Sequence, residues 1–290
     1  MDKTLVRTRI RFLSGLFLVI LMLAAMGVFK PALGADDMLS ELKARGFMRV
    51  GMWSIPPESW IDIESGEWYG VDADFTKEVG KILGIAIDPV LLTHAALAPA
   101  LTSRRVDVIV GLYKTEDRQK VMDYNEVPFW FAADVLITRR QETSIKTFED
   151  MKGKTLGVVR ASAQEIEANG LQQRHGVKEI RKYESADPML MDVKAGRIDA
   201  AIWWGYTYDY AVKQNPNYDL RLVGYFPPEY FGRQSLNGTY YTFPKGPHSA
   251  SLIKAFDLIL GPMMKDGRGR AILDRYGLSD SSYLTGEVKK

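Results

Sequence analysis

The sequence predicts an α/β fold made of two lobes of similar design. Short apolar runs alternate with helix-like segments between residues 48 and 203, a pattern typical of parallel strands buried on both faces. A weak internal repeat indicates two lobes, because residues 105–110 (RVDVIV) are echoed by residues 197–202 (RIDAAI). Each copy follows a helix-like segment and, further upstream, a strand that ends at a loop. Chance is the competing interpretation, since the shared pattern is short.

The pattern gives an order of elements in each half. The first half is predicted to hold strands at 48–53, 87–92 and 106–111 and helices at 72–83, 95–103 and 115–121, with an extended segment at 127–138 that crosses between the lobes. The second half is predicted to hold a helical turn at 147–151, strands at 155–160 and 198–203, helices at 163–173, 187–195 and 206–213, an extended return at 238–243, and closing helices at 249–266 and 269–276.

Composition excludes several classes of protein. The chain has 290 residues, of which 46% are hydrophobic and 11% aromatic, too many for a disordered protein. It has no cysteine, which excludes disulfides, thiolate metal sites, a cysteine nucleophile and a lipid-attachment cysteine. The formal net charge is only +2, so nucleic acid is not an expected partner.

The first 34 residues have the order of an export signal. Arg7, Arg9 and Arg11 precede an apolar run over 12–29, and Pro31 leads into small residues that include Ala32 and Gly34. This order predicts a signal peptide over 1–34 that is cleaved near Gly34 and directs the chain to the periplasm. A retained membrane anchor is the alternative, because the run is nearly long enough to span a bilayer. Removing five basic residues and one acidic residue from a net charge of +2 leaves −2 for the remainder.

Ligands of open α/β sheets bind outside the carboxyl ends of the strands, near helix N-termini. This rule selects the loops at 53–60, 111–118, 160–165 and 203–209. Thr115 is a suitable N-cap, and Arg118 near that helix start could clamp a carboxylate or simply be an exposed arginine. Ser162 and Glu165 form a predicted capping box, which starts a helix and leaves N–H groups, such as that of Ala163, facing the cleft. Arg160 adds positive charge beside it.

Four of the six tryptophans lie at or near the ends of predicted strands. Trp53, Trp60 and Trp204 are candidates to cover an apolar group or an alkylated ammonium. Core packing is the better interpretation for Trp203, if Trp204 points to the cleft. The sequence contains no catalytic motif, and its three histidines are far apart in ordinary polar settings, so we predict no catalytic residues, no metal site and no cofactor.

The order of motifs resembles the extracellular solute-binding proteins of family 3, the periplasmic receptors of polar amino acid ABC transporters. The resemblance covers about residues 46–280. It rests on seven pieces in order: 48–51 (MRVG), 69–75 (YGVDADF), 105–109 (RVDVI), 115–118 (TEDR), 152–158 (KGKTLGV), 195–200 (AGRIDA) and the terminal Asp266-Gly267, Leu273 and Tyr276-Gly277.

This resemblance implies a type II periplasmic binding protein fold, with two lobes joined by two crossover hinge strands. Lobe 1 would hold 36–136 and 238–290, and lobe 2 would hold 137–237. An amino acid or related small carboxylate would bind between lobes that close on it, and an ABC permease in the inner membrane would be the partner of a monomeric receptor. Arg118 would hold the ligand carboxylate, helped by Gly111, Tyr113 and Ser162, while Trp53 or Trp60 covers the side chain.

One departure from the family changes the expected ligand. Trp204 stands where the family normally supplies an aspartate for the ligand ammonium, and a neutral indole cannot make that charge-assisted bond. The ligand is therefore expected to have no primary ammonium or an alkylated one. The carboxylate for a ligand ammonium could still be supplied by Glu58 or Asp209. A shift of one residue in the alignment with the family would also restore it.

Two other functions fit the same resemblance. Cyclohexadienyl dehydratases of the periplasm are similar to these receptors, and such an enzyme would need a positioned acid, for which Glu58 is the best candidate. A ligand-sensing module for a membrane receptor is the second.

Overall fold

The computed structural model describes residues 37–231 and 237–287. The predicted signal peptide at 1–34 lies outside the described residues. The strands are β1 (Phe47–Met52), β2 (Trp60–Ile61), β3 (Trp68–Tyr69), β4 (Ala86–Leu91), β5 (Val108–Tyr113), β6 (Met122–Tyr124), β7 (Trp130–Ala132), β8 (Asp134–Arg139), β9 (Thr155–Val159), β10 (Glu179–Tyr183), β11 (Ala200–Trp204), β12 (Leu220–Tyr225) and β13 (Asn237–Pro244).

The α-helices of the described residues lie between these strands and after them. They are α1 (Met38–Arg45), α2 (Val71–Leu83), α3 (His94–Thr102), α4 (Glu116–Val121), α5 (Gln164–His175), α6 (Ala186–Lys194), α7 (Gly205–Gln214), α8 (Ala250–Met263), α9 (Arg268–Arg275) and α10 (Ser282–Thr285). None of these helices is both long enough and apolar enough to cross a membrane.

Two large sheets organise the described residues, and β2 pairs with β3 in a third, two-stranded sheet. The first has the order β4-β1-β5-β13-β6, with β7 also paired to β13. The second has the order β10-β9-β11-β8-β12. Strands β4, β1 and β5 of the first sheet run parallel, as do β10, β9 and β11 of the second. Strand β13 in the first sheet and β8 in the second are antiparallel to their neighbours. We call the parts built on them the first-sheet half and the second-sheet half.

The chain changes sheets where the sequence predicts a crossing. Strand β7 pairs within the first sheet and β8, which begins two residues after β7 ends, pairs within the second. The sheet therefore changes at Ala133, before the predicted lobe boundary at residue 136. The return is made between β12 and β13, which belong to the second and first sheets respectively.

The internal repeat has a structural basis at its aspartates. Asp107 Oδ2 accepts a hydrogen bond of 2.8 Å from the backbone N–H of Arg49, and the Asp107 N–H donates to the Arg49 carbonyl. Asp199 makes the same pair of bonds with Thr155 in the other sheet, with an N–Oδ2 distance of 2.8 Å. Each aspartate thus fixes the register between neighbouring parallel strands. The hydrogen-bonded strands begin only at Val108 and Ala200, later than the sequence predicts, because the Arg and Asp form the turn that leads into each strand.

Candidate functional site

A cavity of about 450 Å³ lies between the two halves. This volume is within the range of small-molecule sites. The first-sheet half lines it with Trp53, Ser54, Ile55, Leu91, Leu92, Thr93 and His94, and the second-sheet half with Val159, Glu184, Ser185, Ala186, Asp187 and Trp204. Both walls come from the carboxyl ends of strands and the segments that follow them, where the sequence predicts the ligand to bind.

Three aromatic rings stand in series along the cavity. Trp53 follows β1, His94 begins α3 and Trp204 ends β11. The Trp53 and His94 ring centroids are 5.1 Å apart in an edge-on arrangement, and those of His94 and Trp204 are 6.3 Å apart. Both tryptophans are buried. Because Trp204 comes from the other sheet, this series joins the two halves across the cavity.

His94 is neutral in this position. Burial, and to a lesser degree the nearby Arg118 cation, lower the pKa of its imidazole to about 3. Its Nδ1 atom is buried and has no hydrogen-bond partner among the described residues, and the same holds for Trp53 Nε1. His94 was not among the residues predicted to form the site. The rule that ligands bind beyond the carboxyl ends of strands also points to His94, because His94 directly follows the loop at the carboxyl end of β4.

Arg118 bridges the two halves through backbone carbonyls. Its Nη1 donates to the Tyr113 carbonyl oxygen at 2.9 Å, and its Nη2 donates to the carbonyl oxygen of Ala161, in the second-sheet half, at 2.9 Å. No carboxylate in 37–231 or 237–287 forms a salt bridge with it, and burial lowers the pKa of its guanidinium. A partly buried guanidinium without a protein anion is suited to hold a ligand carboxylate.

The residues around Arg118 keep it in place. Thr115 caps α4 as predicted, since its hydroxyl accepts from the Arg118 N–H at 3.3 Å. Gly111 has a φ of +81°, a left-handed conformation that favours glycine. A methyl group on Gly111 would also lie 2.6 Å from Glu58 Oε1. Tyr113 is buried and contributes its carbonyl oxygen to Arg118.

The predicted capping box at Ser162 and Glu165 is wrong. Helix α5 begins at Gln164, its cap position is Ala163, and no side chain caps it. Ala161 has a φ of +60°, and the turn it creates directs the Glu165 carboxylate to the Ala161 N–H at 2.7 Å. The Ser162 hydroxyl is buried and has no partner among the described residues. The Ser162 hydroxyl is therefore not used to start the helix.

The other predicted residues lie in different surroundings. Arg160 forms a salt bridge of 2.6 Å with Glu184 in the cavity wall. Trp60 does not line the cavity and stacks on Tyr69, with ring centroids 5.9 Å apart. Asp209 accepts hydrogen bonds of 2.7 Å from Tyr225 and Tyr283. The structure thus does not bring Trp60 or Asp209 to the cavity.

Glu58 lies behind the cavity wall. It is 1% exposed, and one carboxylate oxygen accepts a hydrogen bond from the hydroxyl of Tyr206. Its other oxygen faces Asp72, also buried, beside Gly111. Burial and the Asp72 charge raise the pKa of Glu58 well above its ordinary value. In this setting Glu58 is part of a buried acid pair and is not a carboxylate of the cavity wall.

The described residues contain no group of three or more His, Asp or Glu side chains placed to hold a metal ion. The carboxylates in the cavity wall are those of Glu184 and Asp187, both of which are exposed to solvent. The inner part of the cavity therefore combines aromatic rings with hydrogen-bond donors, and the nearby positive charge comes from Arg118. Such a site suits a small molecule with a carboxylate and an apolar or cationic remainder.

Solved structures with this fold include amino-acid-binding proteins. An ancestral arginine-binding protein bound to arginine is 29% identical, with a TM-score of 0.70 over 80% of this chain and 99% of that chain. An ancestral amino-acid-binding protein described as a precursor of cyclohexadienyl dehydratase is 24% identical, with a TM-score of 0.70 over 83% of this chain and 99% of that chain. At that identity the second likeness concerns the fold alone. The chain has the type II periplasmic binding protein fold.

Relatives by sequence are also amino-acid-binding proteins. The L-cystine-binding protein TcyJ of Escherichia coli is 27% identical over 263 residues, which cover 87% of this chain and 94% of the relative. The lysine/arginine/ornithine-binding periplasmic protein of the same organism is 29% identical over 216 residues, which cover 73% of this chain and 80% of the relative. The sequence profile of one family matches residues 48–279, and the chain accordingly belongs to the bacterial extracellular solute-binding proteins, family 3.

Proposed function

We propose that the chain is the periplasmic receptor of an ABC importer and binds an amino acid or a related small carboxylate between two lobes that close on it. The lobes would be 36–136 with 238–290, and 137–237, and residues 1–34 would direct export. The proposal rests on one observation above all. A cavity built from both sheets has aromatic rings in its wall and, beside it, the cation Arg118, which forms no salt bridge within the described part of the chain.

The carboxylate would bind at Arg118, where Ser162 and backbone groups near Gly111 and Tyr113 add hydrogen bonds. Arg118 already donates to a carbonyl oxygen of each half. A ligand carboxylate bound there would contact both halves through one group, which favours the closed arrangement. This is a physical reason for the ligand to stabilise closure.

The remainder of the ligand would lie between Trp53 and Trp204, with His94 at its side. A neutral imidazole does not repel a cation, and two indole rings attract one through their faces. Glu184 and Asp187, the carboxylates among the residues that line the cavity, are exposed to solvent, so a primary ammonium would find no buried carboxylate in that lining. An alkylated ammonium is satisfied by ring faces. We therefore propose a betaine-like or ammonium-free carboxylate as the preferred ligand.

An enzyme with the same fold is the competing proposal. Its acid would be Glu58, but this side chain is 1% exposed and outside the cavity wall. That placement weighs against contact between Glu58 and a substrate. A turnover assay on prephenate- or arogenate-like compounds distinguishes the two proposals, and we expect no product.

A thermal-shift screen of amino acids, betaines and organic acids tests the binding proposal. We expect a compound that carries a carboxylate to raise the melting temperature of the wild type and not that of Arg118→Ala. Arg105→Ala, which removes an exposed arginine of the same half, is the control for a general effect of charge. Equal stabilisation of wild type and Arg118→Ala by every active compound would overturn the proposed carboxylate site.

A further inference from the structure

The two halves also meet at a buried contact outside the cavity wall. Tyr206 lies in the first turn of α7, which follows β11 of the second sheet. Its hydroxyl donates a hydrogen bond to Glu58, which lies in the loop after β1 of the first sheet. The Tyr206 ring packs edge-on against Trp130, with ring centroids 4.8 Å apart. Tyr206 is 1% exposed, so water does not reach this contact while the halves are together.

The acceptor of this bond is one member of an acid pair. Glu58 Oε1 and Asp72 Oδ2 both lie against Gly111, and neither has a hydrogen-bond donor among the described residues. Two carboxylates that face each other in a buried site are held together only if they share a proton. Trp130 Nε1 donates to the other Asp72 oxygen at 3.2 Å. Asp72 is therefore the better anion, and Glu58 holds the proton.

The titratable groups around Glu58 come from several elements. Asp72 faces it from α2, Tyr206 from α7 and, at a greater distance, Asp134 from β8. Tyr241 of β13 lies behind Asp72 and contacts Thr76 through its hydroxyl at 2.9 Å. None of these groups carries a positive charge, so loss of the shared proton leaves the pair of carboxylates uncompensated.

We propose that Tyr206 and Glu58 form a closing contact between the lobes, and that the contact requires the proton which Glu58 shares with Asp72. Both are positioning residues, because they act on closure and do not touch the ligand. The proposal rests on the proposed function only in its assumption that the two halves separate and close. It predicts that the closed form becomes less favoured as the pH rises.

Closure changes the pKa of a carboxyl group, and this sets the direction of the pH dependence. Burial raises the pKa of Asp72 to about 7 and that of Glu58 well above its ordinary value. Separation of the halves would expose Glu58 to water and return its pKa toward an ordinary value. The closed form therefore binds more protons than the open form. Its advantage is complete below the ordinary pKa of a carboxyl and is lost as the pH rises through the raised pKa of Glu58.

The test measures closure without any ligand. The chain has no cysteine of its own, so spin labels can be placed at Lys81→Cys on α2 and Lys178→Cys before β10, both at exposed positions. The distance distribution between the labels is recorded by pulsed electron spectroscopy from about pH 5.5 to about pH 9. The labelled chain is compared with its Glu58→Gln, Tyr206→Phe and Glu64→Gln variants. Glu64→Gln is the control, because Glu64 is an exposed carboxylate of the same half as Glu58.

We expect the ratio of closed to open chains to fall with rising pH in the wild type and in Glu64→Gln. The ratio is expected to fall by about tenfold for each unit by which closure raises the pKa of Glu58. Glu58→Gln should keep the same ratio of closed to open chains across the range, because its amide donates to Asp72 and does not titrate there. Tyr206→Phe should be more open than the wild type at the acid end of the range, where the wild type keeps the contact.

Two results would overturn this proposal. One is a distance distribution that does not respond to pH in the wild type, and the other is the same response in Glu58→Gln. If Glu58→Gln does not fold, Asp72→Asn supplies the comparison, because it also removes the facing charge. Failure of every compound to bind in the thermal-shift screen would contradict the proposed function and leave this ligand-free measurement unaffected, so the two failures are distinguishable.

Discussion

The guanidinium of Arg118 and the carbonyl oxygen of Ala161 are joined by a hydrogen bond of 2.9 Å across the cleft. Arg118 belongs to α4 of the first-sheet half and Ala161 to the turn after β9 of the second-sheet half. The left-handed φ of +60° at Ala161 turns the chain at this point. One cation thus contacts both halves while it still lacks a salt-bridge partner among the described residues.

Substitution of Arg118 by alanine is expected to weaken binding strongly. Loss of one charge from a matched, buried pair costs about 2–4 kcal/mol, which corresponds to a dissociation constant about 30-fold to about 700-fold higher. Isothermal titration with the most stabilising compound of the screen measures the change. Arg105→Ala should bind as the wild type does, and a similar loss in both variants would show that Arg118 has no specific role.

Trp204→Asp is expected to reverse the preference between methylated and unmethylated amines. The introduced aspartate can accept hydrogen bonds from a primary ammonium. The indole of Trp204, which it replaces, attracts an alkylated cation through its face. Glycine and trimethylglycine differ only in this group, and thermal shifts with each compare them directly. Trp60→Phe should keep the wild-type order, because Trp60 stacks outside the cavity. A wild type that binds an unmethylated amino acid best, with an unchanged order in Trp204→Asp, would refute the proposed ligand class.

His94→Gln is expected to reduce the loss of stability in mild acid. The imidazole has a pKa of about 3 in the folded chain and an ordinary value near 6.5 when unfolded. Between these values the unfolded chain binds more protons, so the contribution of His94 to the free energy of unfolding falls as the pH falls. Urea denaturation of both proteins at several pH values measures the difference. The same replacement at His175, a half-buried histidine on α5, is the control, and parallel pH curves for wild type and His94→Gln would contradict the prediction.

Tyr283→Phe is expected to destabilise the chain modestly. Tyr283 of α10 donates to Asp209 of α7 at 2.7 Å, and Tyr225 donates to the other Asp209 oxygen. Removal of one hydrogen bond to a charged group costs about 1.5–3 kcal/mol. Chemical denaturation should show a lower midpoint with an unchanged slope. Tyr69→Phe, at a 37% exposed tyrosine, should not shift the midpoint, and equal effects would show that the bond to Asp209 contributes nothing specific.

Much of the fold is predictable because it depends on local patterns. The apolar runs at 48–53 and 155–160 became β1 and β9, and the repeated Arg and Asp marked equivalent turns. Strands β10 and β12 were not predicted. Their residues are mostly half-buried, and edge strands of this kind lack the continuous apolar run of a central strand.

Part of the site was also predictable, because ligand sites of α/β folds lie at the carboxyl ends of strands. The rule for strand ends selected the regions of Trp53, Arg118 and Trp204, which the fold does bring to the cleft. His94 was missed because only tertiary packing brings it into contact with two tryptophans. Ser162 and Glu165 matched a capping box, but the left-handed turn at Ala161 cannot be inferred from an alanine. The acid pair of Glu58 and Asp72 depends on contacts between loops far apart in sequence.

A crystal structure with the most stabilising compound of the screen shows whether Arg118 binds the ligand carboxylate. We expect the ligand carboxylate within hydrogen-bond distance of the Arg118 guanidinium, and the rest of the molecule between the rings of Trp53 and Trp204. A ligand bound elsewhere, or one that leaves Arg118 bonded only to the carbonyl oxygens of Tyr113 and Ala161, would contradict it.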